Sequence, residues 1–332
     1  MTPLNALRHR GPGHLESYFL RANDPTGARA LWLKATVLAP LDGPPIAETW
    51  LVWFDGDKGR VLAQKASHPL EGASFPKGAS PGLDVGGWRW RLAAEGSAEG
   101  AIATREGPAR FSLTWTRFPS TVAAPLCLYP AALLKGRFPR FKLVSPSPWL
   151  RVAGVLELPG ERVELANWEG MQGHNWGPEQ AYEYAWGQCV FPPRAGAPET
   201  MVEGLTARIR LAGRPSPPMS LMVVRRGSAE YRFDRVLDLW RQEPHLEPRR
   251  WTVRMRSHDA EARLRLDATD RPLACLGYAN PDGRVSYCFN SKLADAHLEV
   301  RPRNAPAFTC ESPHGGALEF LRQAPEPGLE VV

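Results

Sequence analysis

Residues 86–93 read GGWRWRLA. Successive side chains on a strand point to opposite faces, so Trp88, Trp90 and Leu92 share one side and Arg89 and Arg91 the other. This is a strand with one buried and one wetted face, and the same period of two continues outward from it. Towards the N-terminus lie residues 30–38 (ALWLKATVL) and 48–55 (ETWLVWFD), joined by the turn-forming LDGPP, then residues 59–66. On the other side, residues 109–118 read ARFSLTWTRF. Aromatic and β-branched runs punctuated by Gly and Pro predict a meander of antiparallel strands. One short helix is expected over residues 125–135 (PLCLYPAALLK), interrupted by Pro130 and serving as a connector or lid.

Residues 138–148 (FPRFKLVSPSP) are rich in Pro and Ser, which places a junction there, with one domain over residues 1–140 and another over 141–332. The strand pattern restarts at 150–158 and 162–168, then runs through 182–191, 201–211, 219–225 and 230–239. It continues at 250–256, 262–267, 273–278, 285–289 and 296–301. Asn280-Pro281-Asp282-Gly283 is a hairpin signal, because Gly supplies the positive φ of a tight turn. An open sheet of so many strands would leave long unpaired edges, and closure into barrels or sandwiches removes them. The expected fold is all-β in both halves.

A chain of 332 residues is long enough to bury two cores. The 43% hydrophobic and 23% charged fractions are those of an ordinary globular protein, and 30 Gly with 33 Pro spread along the chain suit many short strands and turns. Five cysteines, an odd number with no C-x-x-C pair, argue against a disulfide framework or a metal finger and for a reducing compartment. The N-terminal residues lack the apolar core of a signal peptide, and no run is apolar enough to span a bilayer as a helix; the location expected is cytoplasmic. The formal charge of +6 arises largely from arginines two apart, such as Arg208/Arg210 and Arg263/Arg265, which read as solvated strand faces. No clustered basic stripe speaks for nucleic acid; weak attraction to an anionic membrane surface stays open.

The densest stretch is residues 167–191, NWEGMQGHNWGPEQAYEYAWGQCVF. Trp168, Trp176 and Trp186 beside Gln172, His174 and Asn175 suggest a cavity wall, since a buried indole N–H needs a partner. The bland alternative is barrel core, with glycines letting a strand bend around a ring. Glu16, Glu169 and His174 are the candidate acids, because a carboxyl buried among rings has its pKa raised; the alternative for each carboxylate is a structural charge at a strand end. Gly78-Ala79-Ser80-Pro81-Gly82 matches G-x-S-x-G but sits in a turn, not between strand and helix. There is no G-x-G-x-x-G, P-loop or H-E-x-x-H, so dinucleotide, nucleotide and zincin readings have nothing to rest on, and a lone histidine is more often structural than a metal ligand.

His174-Asn175-Trp176-Gly177, after Glu169-Gly170 and followed by Tyr184-Ala185-Trp186-Gly187, resembles the paired motifs of the carotenoid 1,2-hydratase and AttH-like proteins, which are related to tocopherol cyclase and to lipocalin-like Diels–Alderases. Glu16-Ser17-Tyr18-Phe19 is similar to that family's first strand, and residues 139–148 to its proline-bearing inter-domain segment. The resemblance spans about residues 16–287. It implies two lipocalin-like antiparallel β-barrels packed together around an apolar pocket, acting without cofactor on polyene, prenyl or polyketide-like substrates by hydration, isomerisation or cyclisation. One departure stands out: the family pattern has Asp before H-N-W-G, where this chain has Gly173. Glu169, Glu16 or His174 would then serve as acid, or the pocket would work by shape.

Two functional classes follow. As an enzyme, the chain would use Trp168, Trp176 and Trp186 as walls, Asn175 and Gln172 as hydrogen-bond donors, and Tyr18 and Tyr184 as further ligand contacts. As a carrier, the same cavity would hold a lipophilic small molecule unchanged. A third reading makes the chain an interaction module whose aromatic residues are only core.

Overall fold

The structure, a computed structural model, describes residues 4–332 apart from 78–79, 131–132, 135, 137, 195, 212–213 and 240. Gly78 and Ala79 of the G-x-S-x-G match, and part of the helix expected over 125–135, lie outside the described residues. Within that second stretch Leu133 and Leu134 are helical, whereas Leu126 pairs with Ser145 in a β-bridge.

The described residues form two ten-stranded antiparallel sheets, each wrapped around its own apolar core. The first comprises β1 (His14–Asn23), β2 (Arg29–Ala39), β3 (Ile46–Asp55), β4 (Arg60–Pro69), β5 (Gly82–Val85), β6 (Trp88–Arg91), β7 (Glu95–Thr104), β8 (Gly107–Arg117), β9 (Lys142–Leu158) and β10 (Glu161–Gly177). Their order is β4-β3-β2-β1-β10-β9-β8-β7-β6-β5, so the first and last strands meet in the middle.

The second sheet begins with β11 (Glu183–Phe191) and β12 (Thr200–Arg208). A small ribbon, β13 (Arg210–Leu211) and β14 (Arg214–Pro215), interrupts the sequence. Then follow β15 (Met219–Arg226), β16 (Ala229–Phe233), β17 (Glu243–Glu247), β18 (Arg250–Arg256), β19 (Ala260–Asp267), β20 (Ala274–Ala279), β21 (Val285–Pro302) and β22 (Phe308–Arg322). The order is β16-β15-β12-β11-β22-β21-β19-β18-β17, with β20 on β21.

Two sequence expectations are corrected by this topology. β9 and β10, which follow residue 140, complete the first sheet, so the change of sheet falls between Gly177 and Glu183 rather than at 140/141. The Pro/Ser-rich segment enters β9 because its irregular register tolerates residues that cannot donate to a ladder. Likewise, residues 285–289 and 296–301 belong to one long strand, β21, bent by register shifts between Ser291 and Ala296.

The first of three register shifts between β9 and β10 orients the densest stretch. Asn167 has φ +55, a left-handed conformation that Asn tolerates, and the pairing with β9 slips between Leu165 and Trp168. Before the slip Val163 and Leu165 face the first core; after it the even-numbered residues do, beginning with Trp168. Gln172, His174 and Trp176 therefore point into the first barrel, while Glu169, Met171, Gly173 and Asn175 point towards the second sheet.

Between the sheets lies a third apolar cluster, with Phe19, Trp32, Trp50, Phe54, Trp149 and Met171 packed against Trp186, Leu221, Leu276 and Tyr278. Each such side chain removed from water stabilises by roughly 1.5–3 kcal/mol, so this seam holds the halves together as firmly as either core.

Candidate functional site

An apolar recess opens where the two sheets meet, a cavity of about 230 Å³. Phe19, Asn175 and Leu143 line it from the first sheet; Tyr184, Trp186, Leu205 and Leu221 from the second; Tyr129 and Phe138 from the connecting segment. Tyr184 and Trp186 are two apart on β11 and so share the cavity face. Register places Glu319 of β22 opposite Trp186, which brings its carboxylate to the cavity floor.

Glu319 is the centre of a buried polar group. Lys292 Nζ donates to its Oε1 at 2.5 Å, Asn290 Nδ2 donates to the same atom at 3.2 Å, and Tyr184 Oη lies 3.5 Å from Oε2. Cys288 Sγ is 3.7 Å from Oε2. Burial pushes Tyr184, Tyr278 and Cys288 well above their ordinary values, so each keeps its proton, and burial lowers Lys292 against the pull of Glu319. Beside this group Lys34 is lowered by burial to about 8, its ammonium 3.6 Å from the centre of the Tyr278 ring. Glu203 stands behind Trp186, accepting from Ser145 Oγ at 2.9 and 2.8 Å and from Trp186 Nε1 at 3.2 Å; burial raises it to about 7.

The other sequence-derived candidates lie elsewhere. Glu16, His174 and Tyr18 form a fully buried cluster inside the first barrel, and Trp176 packs on His174 with ring centroids 4.7 Å apart. Trp168 stacks on Trp53 in the same core. Glu169 faces the seam but is occupied: Trp149 Nε1 donates to it at 2.5 Å and Arg151 pairs with its other oxygen, while burial pulls its pKa upward. Gln172 lines a separate recess of about 270 Å³ at the mouth of the first barrel, with Asn5, Arg117 and Ser147, and its amide has no protein partner there. The structure thus brings together Asn175, Tyr184 and Trp186 of the expected set at the inter-sheet cavity.

Sequence reasoning missed Glu319, Lys292, Glu203, Lys34 and Phe19. A signal existed for the four charged ones: each is a lone charge in an apolar run, as in ALEFL, SKLA, VEGL and WLKA. A charge at such a position is buried only if a partner is built for it. Among the described residues, no three or more His, Cys, Asp or Glu side chains are placed to hold a metal ion, and no helix is long and apolar enough to cross a membrane.

Comparison with known proteins agrees with this architecture. No protein-family model matches the chain. The uncharacterized protein Rv0493c of Mycobacterium tuberculosis H37Rv is 26% identical over 299 residues, covering 90% of this chain and 84% of its own. Among solved structures, an AttH-like protein from Nitrosomonas europaea superposes with a TM-score of 0.57 at 13% identity, covering 97% of this chain and 98% of its own. The chain has the AttH-like, lipocalin-like double-barrel fold. Kievitone hydratase from Nectria haematococca (TM-score 0.56, 10% identity) and CghA (0.58, 10%) share it, each over 97% of this chain and 98% and 95% of their own.

Proposed function

We propose that the chain binds a lipophilic small molecule in the inter-sheet cavity and moves a proton on it, in an isomerisation, cyclisation or hydration. The observation that carries this reading is the Tyr184 hydroxyl, which lines an apolar cavity and lies beside the buried Glu319–Lys292 pair. A phenol kept neutral by burial donates a hydrogen bond to a substrate oxygen, and the adjacent carboxylate takes up or returns a proton in a site where water is scarce. Phe19 and Trp186, packed edge to face at 5.9 Å, shape the walls and present ring faces to developing positive charge. Asn175 supplies a further polar contact from the first sheet. One relative in fold, kievitone hydratase, carries the name of an enzyme, which supports an enzyme over a passive shell.

The carrier reading keeps one observation in its favour: the carboxylate of Glu319 is already satisfied by Lys292 and Asn290. Deuterium separates the two. The protein purified without detergent is analysed by native mass spectrometry for a bound lipophile, which is then incubated with it in D2O. Incorporation of deuterium, or a changed ligand mass, by the wild type and its loss in Tyr184→Phe and Glu319→Gln supports catalysis. A ligand that stays unexchanged with the wild type removes the proton-transfer role.

A further inference from the structure

Eight large apolar side chains of the described surface are exposed, and four of them surround one opening. Phe138 (47% exposed) and Leu211 (52%) line the inter-sheet cavity at its mouth, and Val236 (47%) and Leu237 (77%) stand on the turn between Asp234 and Leu239, which line it too. Apolar tips gathered around a recess mark a contact surface, whereas the same residues scattered singly would need no explanation.

Charge identifies what the surface meets. The described residues next to these apolar tips include exposed Arg140, Arg208, Arg210, Arg214, Arg235 and Arg241, with one acid, Asp238, among them. Acids offset this charge only in part: Asp238 is shared by Arg235 and Arg241, Glu179 by Arg140 and Arg284, Glu183 lies 3.9 Å from Arg208 and Asp234 pairs with Arg232, which leaves Arg210 and Arg214 without an acid in an ion pair among the described residues. A ring of guanidinium groups around protruding Leu, Val and Phe complements a surface that is anionic outside and apolar beneath. That is the chemistry of a lipid bilayer carrying acidic headgroups.

We propose that the cavity mouth docks on an anionic lipid bilayer, with Phe138, Leu211, Val236 and Leu237 entering the headgroup–acyl boundary and the surrounding arginines pairing with lipid phosphates. This rests on the reading that the cavity takes a lipophilic ligand, and deepens it: the ligand passes between bilayer and cavity without crossing water, where its transfer would be costly. Guanidinium suits the role because it binds phosphate through two parallel N–H donors.

The test is co-sedimentation of the full chain with vesicles. The wild type sediments with vesicles of equal parts phosphatidylcholine and phosphatidylglycerol, sediments weakly with phosphatidylcholine alone, and is released by high salt. Val236→Asp with Leu237→Asp lowers the bound fraction roughly fivefold, as does Arg214→Glu with Arg235→Glu, while Leu41→Asp, an exposed apolar residue in another turn, leaves it unchanged. Absence of binding to the mixed vesicles, or equal binding by both double variants and the wild type, overturns the proposal. Binding of N-phenyl-1-naphthylamine to the cavity, measured in parallel without lipid, keeps the readings apart. If vesicles bind and the probe does not, docking stands and the lipophilic-ligand reading falls.

Discussion

Tyr18 and His174 stack with ring centroids 4.4 Å apart and both hydrogen-bond the same oxygen, Oε1 of Glu16, at 2.8 Å. Pairing of β1 with β10 sets the two residues opposite one another, so the stack is a consequence of register. The other nitrogen of His174 lies 2.6 Å from the carbonyl of Leu4, and the other oxygen of Glu16 takes His14 Nε2 at 2.9 Å. Both His174 nitrogens are thus engaged, one by the Leu4 carbonyl and one by the Glu16 carboxylate. The Arg8 N–H donates to both Glu16 oxygens at 2.9 Å, which stitches the N-terminal segment onto the barrel. The histidine of the H-N-W-G motif is here part of a buried hydrogen-bonded clamp.

Glu16→Gln therefore destabilises the protein by about 3–5 kcal/mol, the usual result of breaking a buried carboxylate's hydrogen-bonded pairings. It also opens residues 4–13 to limited proteolysis. Binding of a fluorescent lipophile to the inter-sheet cavity, measured below the unfolding transition, stays within about twofold of wild type. A large loss of cavity binding with unchanged stability would show that Glu16 belongs to the working site.

Acid unfolding reports the same clamp. Burial works to raise the Glu16 carboxyl, but hydrogen bonds from His14 and His174 outweigh it and hold the group at about 2, below its ordinary 4.5. A depressed folded-state pKa contributes stability above the unfolded value that is lost as pH falls from about 4.5 to about 2, an amount near 3 kcal/mol. Urea midpoints followed through this window fall steeply for wild type and gently for Glu16→Gln; parallel curves would remove the clamp.

Glu203 gives the opposite slope. Burial lifts it to about 7, against hydrogen bonds from Ser145 and Trp186 that favour the charged form. A raised folded-state pKa means that stability is fully present below about 4.5 and is lost as pH rises towards 7. Glu203→Gln, which cannot ionise, should be more stable than wild type at pH 8 by about 1–2 kcal/mol and about equal to it at pH 4. Thermal melts at the two pH values decide it.

The all-β architecture was legible because its signal is local: WRWRL, TWLVWF and ALWLKATV each declare their buried face within one strand. The site was legible only in part. Asn175, Tyr184 and Trp186 stood out in a stretch crowded with rings, yet which cavity each residue of that stretch faces depends on the one-residue slip at Asn167. That slip sends Trp168, Gln172, His174 and Trp176 inward and leaves Asn175 at the seam, an outcome period-two reasoning without the bulge inverts. Glu319 reaches the cavity and meets Lys292 through pairing of β11, β21 and β22, strands over a hundred residues apart in part, and β22 itself was not read as a strand.

Gly173 offers a test of the departure from the family motif. It pairs with Phe19, and a Cβ built on it would lie 2.0 Å from the Phe19 ring, a distance no real contact allows. The Phe19 ring thus fills the space that a longer side chain at 173 would need, and the missing Asp is a matter of packing at the cavity wall. Gly173→Ala should cost about 1–3 kcal/mol and weaken binding of a lipophilic probe by displacing Phe19. Phe19→Ala in the same chain should recover part of the stability; a second variant that is merely additive would sever the link.

Lys292 and Glu319 form a buried ion pair, Lys292 with no exposed side-chain surface and Glu319 with 11%. Two charges taken from water stabilise little as a pair, but either one alone is expensive. Lys292→Met and Glu319→Leu should each destabilise by about 3–5 kcal/mol, while the double variant, which removes both charges, should lose much less than their sum. The coupling energy expected from urea unfolding of the four proteins is about 2 kcal/mol or more. Tyr184 then decides what the pair is for. If the double variant folds and binds the lipophile but no longer exchanges deuterium into it, the pair serves proton transfer; if exchange persists, the pair only holds β21 to β22, and the chemistry lies elsewhere on the cavity wall.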